Sequence, residues 1–412
     1  MTSIEPAVYL DHAATTQVRP AAADAYAAAL IEVGNPSSLH VAGRNARRLV
    51  EEAREEVAQA LGAEPAEVVF TSGGTEANNL AVTGMARARA DEALLASAIE
   101  HPAVLNPATA QGGALVPVTD EGVVDLDHLA TRLAAGGVGA VSVMWANNET
   151  GVVQPMAEII RLAHDHGAWV HSDAVQAVGH LPVNFGASGL DAMTITGHKI
   201  GAPIGIGALL VRREVELRPT ELGGGQERGI RSGTVPVPGI RALAAALSVA
   251  MADQAAEARR LAELRDEVIR QVLATIPGSR LTGPPIADQQ TQASAADPGE
   301  SATPTGATLS GATPTGARLP HIAHFTFEGC DADALLFGLD MAGICTSSGS
   351  ACQAGVQEPS HVLVAMGRDE RSARSAVRIS MGWTTTQDHI DALLAALPGV
   401  VERARAAATT TR

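Results

Sequence analysis

The tetrapeptide "TGHK", 196–199, holds the only lysine of the chain. The lysine stands three residues past the short apolar run "AMTIT" (192–196) and precedes the glycine-rich "IGAPIGIG". An ordinary lysine is a solvated surface charge. One at the carboxyl end of a buried parallel strand stands where open α/β sheets build their sites. Desolvation there disfavours the charged amine, and a neutral amine is a nucleophile for Schiff-base chemistry. Taken alone, the lysine is a weak signal.

Other strand ends join it. "VVFTSGGTEANN" (68–79) reads as strand, glycine turn and helix start. The N–H groups of Gly73, Gly74 and Thr75, with the Thr75 hydroxyl, would cradle a phosphate at a helix N-terminus. An ordinary cap by Ser72 or Thr75 is the plainer reading of the same residues. "WVHSDAVQ" puts Asp173 just past a strand with Gln176 three residues on, and "MWANNETG" does the same with Asn147 and Asn148. Asp173 could be a mere N-cap. A carboxylate, a lysine and an anion cup at neighbouring strand ends nevertheless match the needs of pyridoxal 5′-phosphate: a Schiff-base amine, a partner for the pyridinium nitrogen and a phosphate site. His101 in "IEHPAV" and His198 beside the lysine add two titratable rings; a lone histidine is more often structural. A separate oddity is "TSSGSACQAG" (346–355), which sets Cys352 among glycine, serine and alanine with nothing bulky to pack around it. Free cysteine is usually buried, so a cysteine on a tether asks for a chemical reason.

The elements that must position these groups alternate. "EVVF" (67–70), "AVSVM" (140–144), "WVHS" (169–172), "AMTIT" (192–196) and "GIGALLV" (205–211) read as strands, with helices over 75–90 and 156–166 between them. Such alternation implies a mainly parallel sheet covered on both faces. Apolar residues at helical spacing over 252–276 predict a long helix leading into a second unit, where "HIAHFTF" (321–327) and "SAVRISM" (375–381) give strands and "DADALLFGLDMAG" a helix. Residues 286–318 are rich in Ala, Thr, Pro, Gly and Gln and repeat "ATPTGA"; such a run cannot bury enough apolar surface to order itself and reads as a low-complexity insertion. Cys330 is expected at a strand-to-helix turn and Cys345 in the core.

Composition bounds the rest. The 412 residues suit two domains or one large α/β unit. A formal net charge of −16 and 2% aromatic residues speak against nucleic-acid binding. The apolar runs are too short to span a membrane, and no signal peptide is read at the N-terminus. Three cysteines without metal-ligand spacing speak against a disulfide framework or a metal site and for a reducing cytoplasm.

Taken in order, "LDHAATT", "GNPSSLH", "FTSGGTEANN", "ANNETG", "SDAVQ", "TGHK", "GGGQERGIRSGT" and "SSGSAC" resemble the cysteine desulfurase family of class V, fold-type I pyridoxal-phosphate enzymes, from Tyr9 to Trp383. The resemblance implies an α/β fold: an aminotransferase-like large domain with a mainly parallel seven-stranded sheet (15–251) and a smaller α+β domain from both chain ends (1–14 and 252–412). It implies Lys199 as the Schiff-base lysine, Asp173 on the pyridine nitrogen, Gln176 on the ring hydroxyl, and His101 stacked on the ring as an acid/base. Gly74, Thr75, Thr196 and His198 would bind the phosphate, with Thr234 reaching it from a second subunit of a homodimer. Asn148 and Arg378 would hold the substrate, Arg378 by a bidentate grip on its carboxylate. L-cysteine would become L-alanine while Cys352, as a thiolate, takes the sulfur as a persulfide and passes it to an acceptor, an iron–sulfur scaffold or a tRNA-thiolation enzyme. Two departures, "HKIGAPIG" after the lysine and Gln226 where some members have histidine, leave the subgroup and the acceptor open. A selenocysteine lyase or another fold-type I enzyme is the alternative within the chemistry, and a non-catalytic cofactor-binding scaffold the alternative outside it.

Overall fold

Short runs of small and β-branched residues form the strands, and in the central sheet nearly all of them are buried on both faces, as strands covered by helices on each side must be. In this computed structural model, which describes residues 8–286, 317–349 and 359–410, the strands are β1 (Val8–Tyr9), β2 (Val68–Thr71), β3 (Ala93–Ser97), β4 (Ala114–Val116), β5 (Val138–Ser142), β6 (Trp169–Asp173), β7 (Ala192–Thr196), β8 (Gly207–Val211), β9 (Ser279–Leu281), β10 (Ile322–Phe327), β11 (Ile344–Cys345) and β12 (Ala376–Ser380). Seven of them make one sheet in the order β2–β8–β7–β6–β5–β3–β4. Only β8 runs against its neighbours, pairing antiparallel with both β2 and β7; the other pairs are parallel. The carboxyl ends of β2, β3, β5, β6 and β7 therefore share one edge, and the residues following them meet there.

Helices Val41–Leu61, Leu126–Ala134 and Met156–Asp165 bury apolar stripes on one face of the sheet, and helix Gly74–Ala88 covers the other. A separate cluster gathers Val8 and Leu10 with Phe325, Phe327, Val377 and Ile379 around the antiparallel sheet β12–β10–β9 and the parallel pair β1–β11. Helix Val237–Thr275 joins the two, burying Ile240 to Ala250 in the first cluster and Leu261 to Val272 in the second. It starts well before the expected 252. Pro236, Pro238 and Gly239 read as a break, yet Pro238 sits in the first turn, where its missing N–H costs nothing.

The expected strands all form, with ends shifted by a few residues. Strands β3 ("ALLAS") and β4 ("ALV") were not anticipated; their Ala and Leu are helix formers, and burial in the sheet overrides that preference. Residues 287–316 of the low-complexity run lie outside the described residues. Its edges are integrated: Ile286 packs against the second cluster, and Ala317 and Arg318 pair with Val153 and Val152. The Arg318 guanidinium also donates to the carbonyls of Thr150 at 2.6 Å, Thr282 at 2.7 Å and Pro284 at 2.8 Å. The low-complexity boundary therefore falls before Ala317, not after Arg318. Cys330 lies between β10 and helix Ala332–Asp340, as expected, whereas Cys345 on β11 is half-buried rather than in the core. Cys352 lies outside the described residues. Among the described residues, no helix is long and apolar enough to cross a membrane.

Candidate active site

At the shared strand edge lies a cleft of about 470 Å³, within the size range of small-molecule sites. Its wall contains Gly74, Thr75, His101, Asn148, Asp173, Gln176, Thr196, His198, Lys199 and Arg378, so ten of the expected site residues converge.

Lys199 ends the short turn Gly197–Lys199 that follows β7. Its Nζ donates to the carbonyls of Ala13 at 2.5 Å and Ala14 at 2.6 Å. Among the described residues no carboxylate hydrogen-bonds it. Burial, and then the charge of Arg378, push its pKa down to about 8 against the opposing pull of Asp11 and Asp173. Gln176 Nε2 donates to the same Ala13 carbonyl at 2.9 Å, so the "LDHAATT" segment is an acceptor rail for both side chains.

Asp173 closes β6 with its carboxylate inside the cleft. Oδ2 accepts from Asn78 Nδ2 at 2.6 Å and Oδ1 from the Val175 N–H at 2.9 Å. It is no N-cap. The neighbouring glycine turn is not capped by a side chain either: Gly73 is the N-cap of helix Gly74–Ala88 and makes no side-chain cap bond. The Ser72 N–H donates instead to Glu76, which is also paired with Arg231 at 2.9 Å. Gly73 adopts φ +153°, a conformation that side-chain-bearing residues rarely take, and a Cβ on Gly74 would meet Val175 Cγ2 at 3.1 Å. The first turn is thus an anion cradle without a built-in acceptor, facing Thr196 and His198. His198 is pushed down to about 4 by burial and the neighbouring Lys199, and its Nδ1 lies 3.3 Å from Thr15 Oγ1.

His101 follows β3 and caps helix Pro102–Ala110, its Nδ1 accepting from the Ala103 N–H at 3.1 Å. Nε2 therefore carries the hydrogen in the neutral ring. Burial lowers its pKa, reinforced by Lys199 and His361 and opposed by Asp173. The two asparagines of "MWANNETG" divide their labour. Asn147 is fully buried and ties the turn, accepting from the Glu149 and Thr150 N–H groups at 2.9 Å each, while Asn148 faces the cleft. Arg378 on β12 reaches in from the second cluster, donating to the Asn148 carbonyl at 2.9 Å and to Asp11 Oδ1 at 2.7 Å. Its Nε and Asn78 Oδ1 have no partner among the described residues.

Thr234 is the one described site residue that does not reach the cleft. It lines a second one of about 660 Å³ with Asn35 to Ser37 and Gly224 to Arg228. The residues that sequence reasoning did not single out are the holders: Asp11, Asn78, the Ala13 and Ala14 carbonyls, and Glu149 and His361 on the cleft wall. All but His361 lie inside a quoted motif, whereas nothing in one sequence tells a backbone acceptor or a holding side chain from a spacer.

These residues fit pyridoxal phosphate: a desolvated amine, a buried carboxylate fixed by two donors, and an uncapped helix start narrowed by glycine. The comparisons agree. The family model for aminotransferase class-V matches residues 8–297 and 306–393. The IscS-like cysteine desulfurase of Mycobacterium tuberculosis is 47% identical, over 97% of this chain and 98% of that protein. The cysteine desulfurase IscS of Dictyoglomus turgidum is 37% identical, over 97% and 95%. Among solved structures, a NifS-like protein from Rickettsia africae superposes with a TM-score of 0.82 at 33% identity, covering 96% of this chain and 99% of that one.

Proposed function

Since the chain belongs to the aminotransferase class-V family, and within it to the pyridoxal-phosphate-dependent cysteine desulfurases, we propose a role for each residue of the cleft in taking sulfur from L-cysteine and leaving L-alanine. The observation that carries this reading is the convergence of Lys199, Asp173, the uncapped start of helix Gly74–Ala88 and Arg378 on one wall. Pyridoxal phosphate, when bound, supplies the electron sink that makes the substrate Cα–H and C–S bonds labile. Asp173, fixed by Asn78 and Val175, sets a negative charge where a pyridinium nitrogen is to stay protonated. The N–H groups of Gly74 and Thr75, with Thr196 and His198, take the phosphate, and Gln176 turns its amide to the ring hydroxyl. Arg378 grips the substrate carboxylate, its guanidinium held in place by Asp11 and the Asn148 carbonyl. Lys199 Nζ, neutral in a useful fraction near pH 7 because it is desolvated, takes the Cα proton. His101 offers Nε2–H as a proton donor over the same site. Cys352, as a thiolate, attacks the substrate sulfur; the S–S bond of a persulfide forms as the C–S bond breaks, and the electron pair stays on the carbon that is protonated to the methyl group of L-alanine.

The finer assignments rest on supporting observations. A homodimer is favoured by Thr234 lying away from the cleft of its own chain, and by the exposed Ile31, Val33, Leu39 and Leu222, close in sequence to the Asn35–Ser37 and Gly224–Arg228 linings of the second cleft, which a partner would cover. The unpaired thiols Cys330 and Cys345 suit a reducing cytoplasm. The sulfur acceptor is a protein of iron–sulfur cluster assembly or tRNA thiolation. The test is alanine formation from L-cysteine with a reductant present: the wild type forms it and Lys199→Ala does not. Equal rates in both would remove Lys199 from the chemistry.

A further inference from the structure

The cleft wall carries a third imidazole, beside His101 and His198, that the reading above leaves without a task. His361 opens the helix His361–Ala365 and lines the cleft. Its Nε2 lies 2.9 Å from the Glu100 carbonyl oxygen. A carbonyl only accepts, so Nε2 carries the hydrogen and Nδ1 of the neutral ring presents a lone pair. His101, on the same cleft wall, has the opposite arrangement, with Nδ1 accepting from the Ala103 N–H and the hydrogen on Nε2. One ring thus offers a donor and the other an acceptor.

The position of His361 is held firmly. Ser360 caps its helix by accepting from the Leu363 N–H at 3.2 Å and donates to Glu149 Oε2 at 2.5 Å. Glu149 is itself buried and on the cleft wall. The Glu100 carbonyl that receives Nε2 immediately precedes His101, so the two rings share one anchor. Gly349 and Pro359, the described residues on either side of the segment that carries Cys352, line the same cleft as His361.

We propose that His361 is a specificity-determining residue: its Nδ1 accepts a hydrogen bond from the thiol of L-cysteine and holds the sulfur toward the part of the cleft wall formed by Gly349 and Pro359. This rests on the desulfurase reading of the cleft. The acceptor discriminates a thiol from a methyl group, and so the substrate from L-alanine, its product.

Two substitutions separate the two ring nitrogens. In His361→Gln the amide nitrogen reaches the place of Nε2, keeping a donor for the Glu100 carbonyl while removing the Nδ1 acceptor. In His361→Asn the amide oxygen stands near Nδ1, keeping the acceptor. L-cysteine and L-alanine binding are measured by calorimetry on holoenzyme carrying Cys352→Ala, so that no sulfur is transferred, and KM and kcat on enzyme with Cys352 intact. The expected result is about tenfold weaker L-cysteine binding and a similarly raised KM in His361→Gln, the size of one lost hydrogen bond. L-alanine binding stays unchanged, and His361→Asn recovers most of the L-cysteine affinity. Equal losses for both amino acids, or no loss for either, would overturn the proposal. Wild-type alanine formation with an unaffected L-cysteine affinity in His361→Gln would sink it while leaving the desulfurase reading intact. A wild type that binds neither amino acid would overturn that reading and the proposal with it.

Discussion

Lys199 is the only lysine in the chain, so its amine can be followed without interference. Labelling lysine with ¹³C at Cε gives a single resonance whose shift reports protonation of Nζ. The structure lowers the pKa from the ordinary 10.5 to about 8, chiefly through burial. At pH 7 that amounts to roughly 300-fold more neutral amine than a solvated lysine would hold. The apoenzyme, titrated from pH 6 to 11, is expected to show a midpoint near 8. The neighbouring charges give two further shifts of opposite sign. Arg378 depresses the value, so Arg378→Gln moves the midpoint up; Asp11 raises it, so Asp11→Asn moves it down. The pH at which the apoenzyme takes up pyridoxal phosphate, read by the cofactor's absorbance, follows the same midpoints, because the neutral amine is the nucleophile. A wild-type midpoint at or above 10, or shifts of the same sign in both variants, would refute the claim that desolvation prepares Lys199.

Other outcomes follow from the same geometry. Asn78→Ala removes the 2.6 Å donor from buried Asp173; a loss on the order of 1–3 kcal/mol in apoenzyme stability or cofactor affinity is expected, and unchanged values for both would free Asp173 of its assigned holder. Gly74→Ala sets a Cβ 3.1 Å from Val175 Cγ2 inside the cradle, so equilibrium dialysis should show weaker cofactor retention at near-normal thermal stability; retention equal to wild type would mean that the cradle has room to spare. Acid should destabilise the chain. His12, His180 and His198 are held near 4, His171 and His324 near 3, and His101 and His321 below their ordinary value, all mainly by burial. Their folded values lie below the unfolded one, so the unfolded chain takes up protons first and stability is lost as pH falls below about 6.5. Buried Glu100 and Glu149, raised by burial, oppose this. The depressed histidines outnumber the two carboxyls, so the net dependence keeps the histidine sign; a urea midpoint for the apoenzyme that does not fall between pH 7.5 and 5.5 would contradict it.

The sheet was legible where β-branched runs ended in glycine or polar turns, as at β6 and β7. It was not legible at β3 and β4, where alanine and leucine describe a helix as well as a strand and only the neighbouring strands decide. The convergence of Lys199, Asp173 and Gly74 could be read from the chain because each follows a strand whose carboxyl end faces the same edge. Their supports could not. Asn78 looks like one polar helix residue among several until the helix packs on β6, and the Ala13 and Ala14 carbonyls have no side-chain signature at all. His361 escaped notice because a histidine at a helix start carries no message until the carbonyl opposite fixes its tautomer.

The central claim is that the sulfur of L-cysteine is moved onto Cys352 with L-alanine as the other product. Holoenzyme mixed with L-cysteine in the absence of reductant, then analysed for alanine and by peptide mass spectrometry, tests it most directly. The account predicts alanine formed in step with one added sulfur on the peptide that contains Cys352, and neither product accumulating when Cys352 is replaced by alanine. Alanine formed at the wild-type rate by Cys352→Ala, with no sulfur added to any peptide of the wild type, would contradict it.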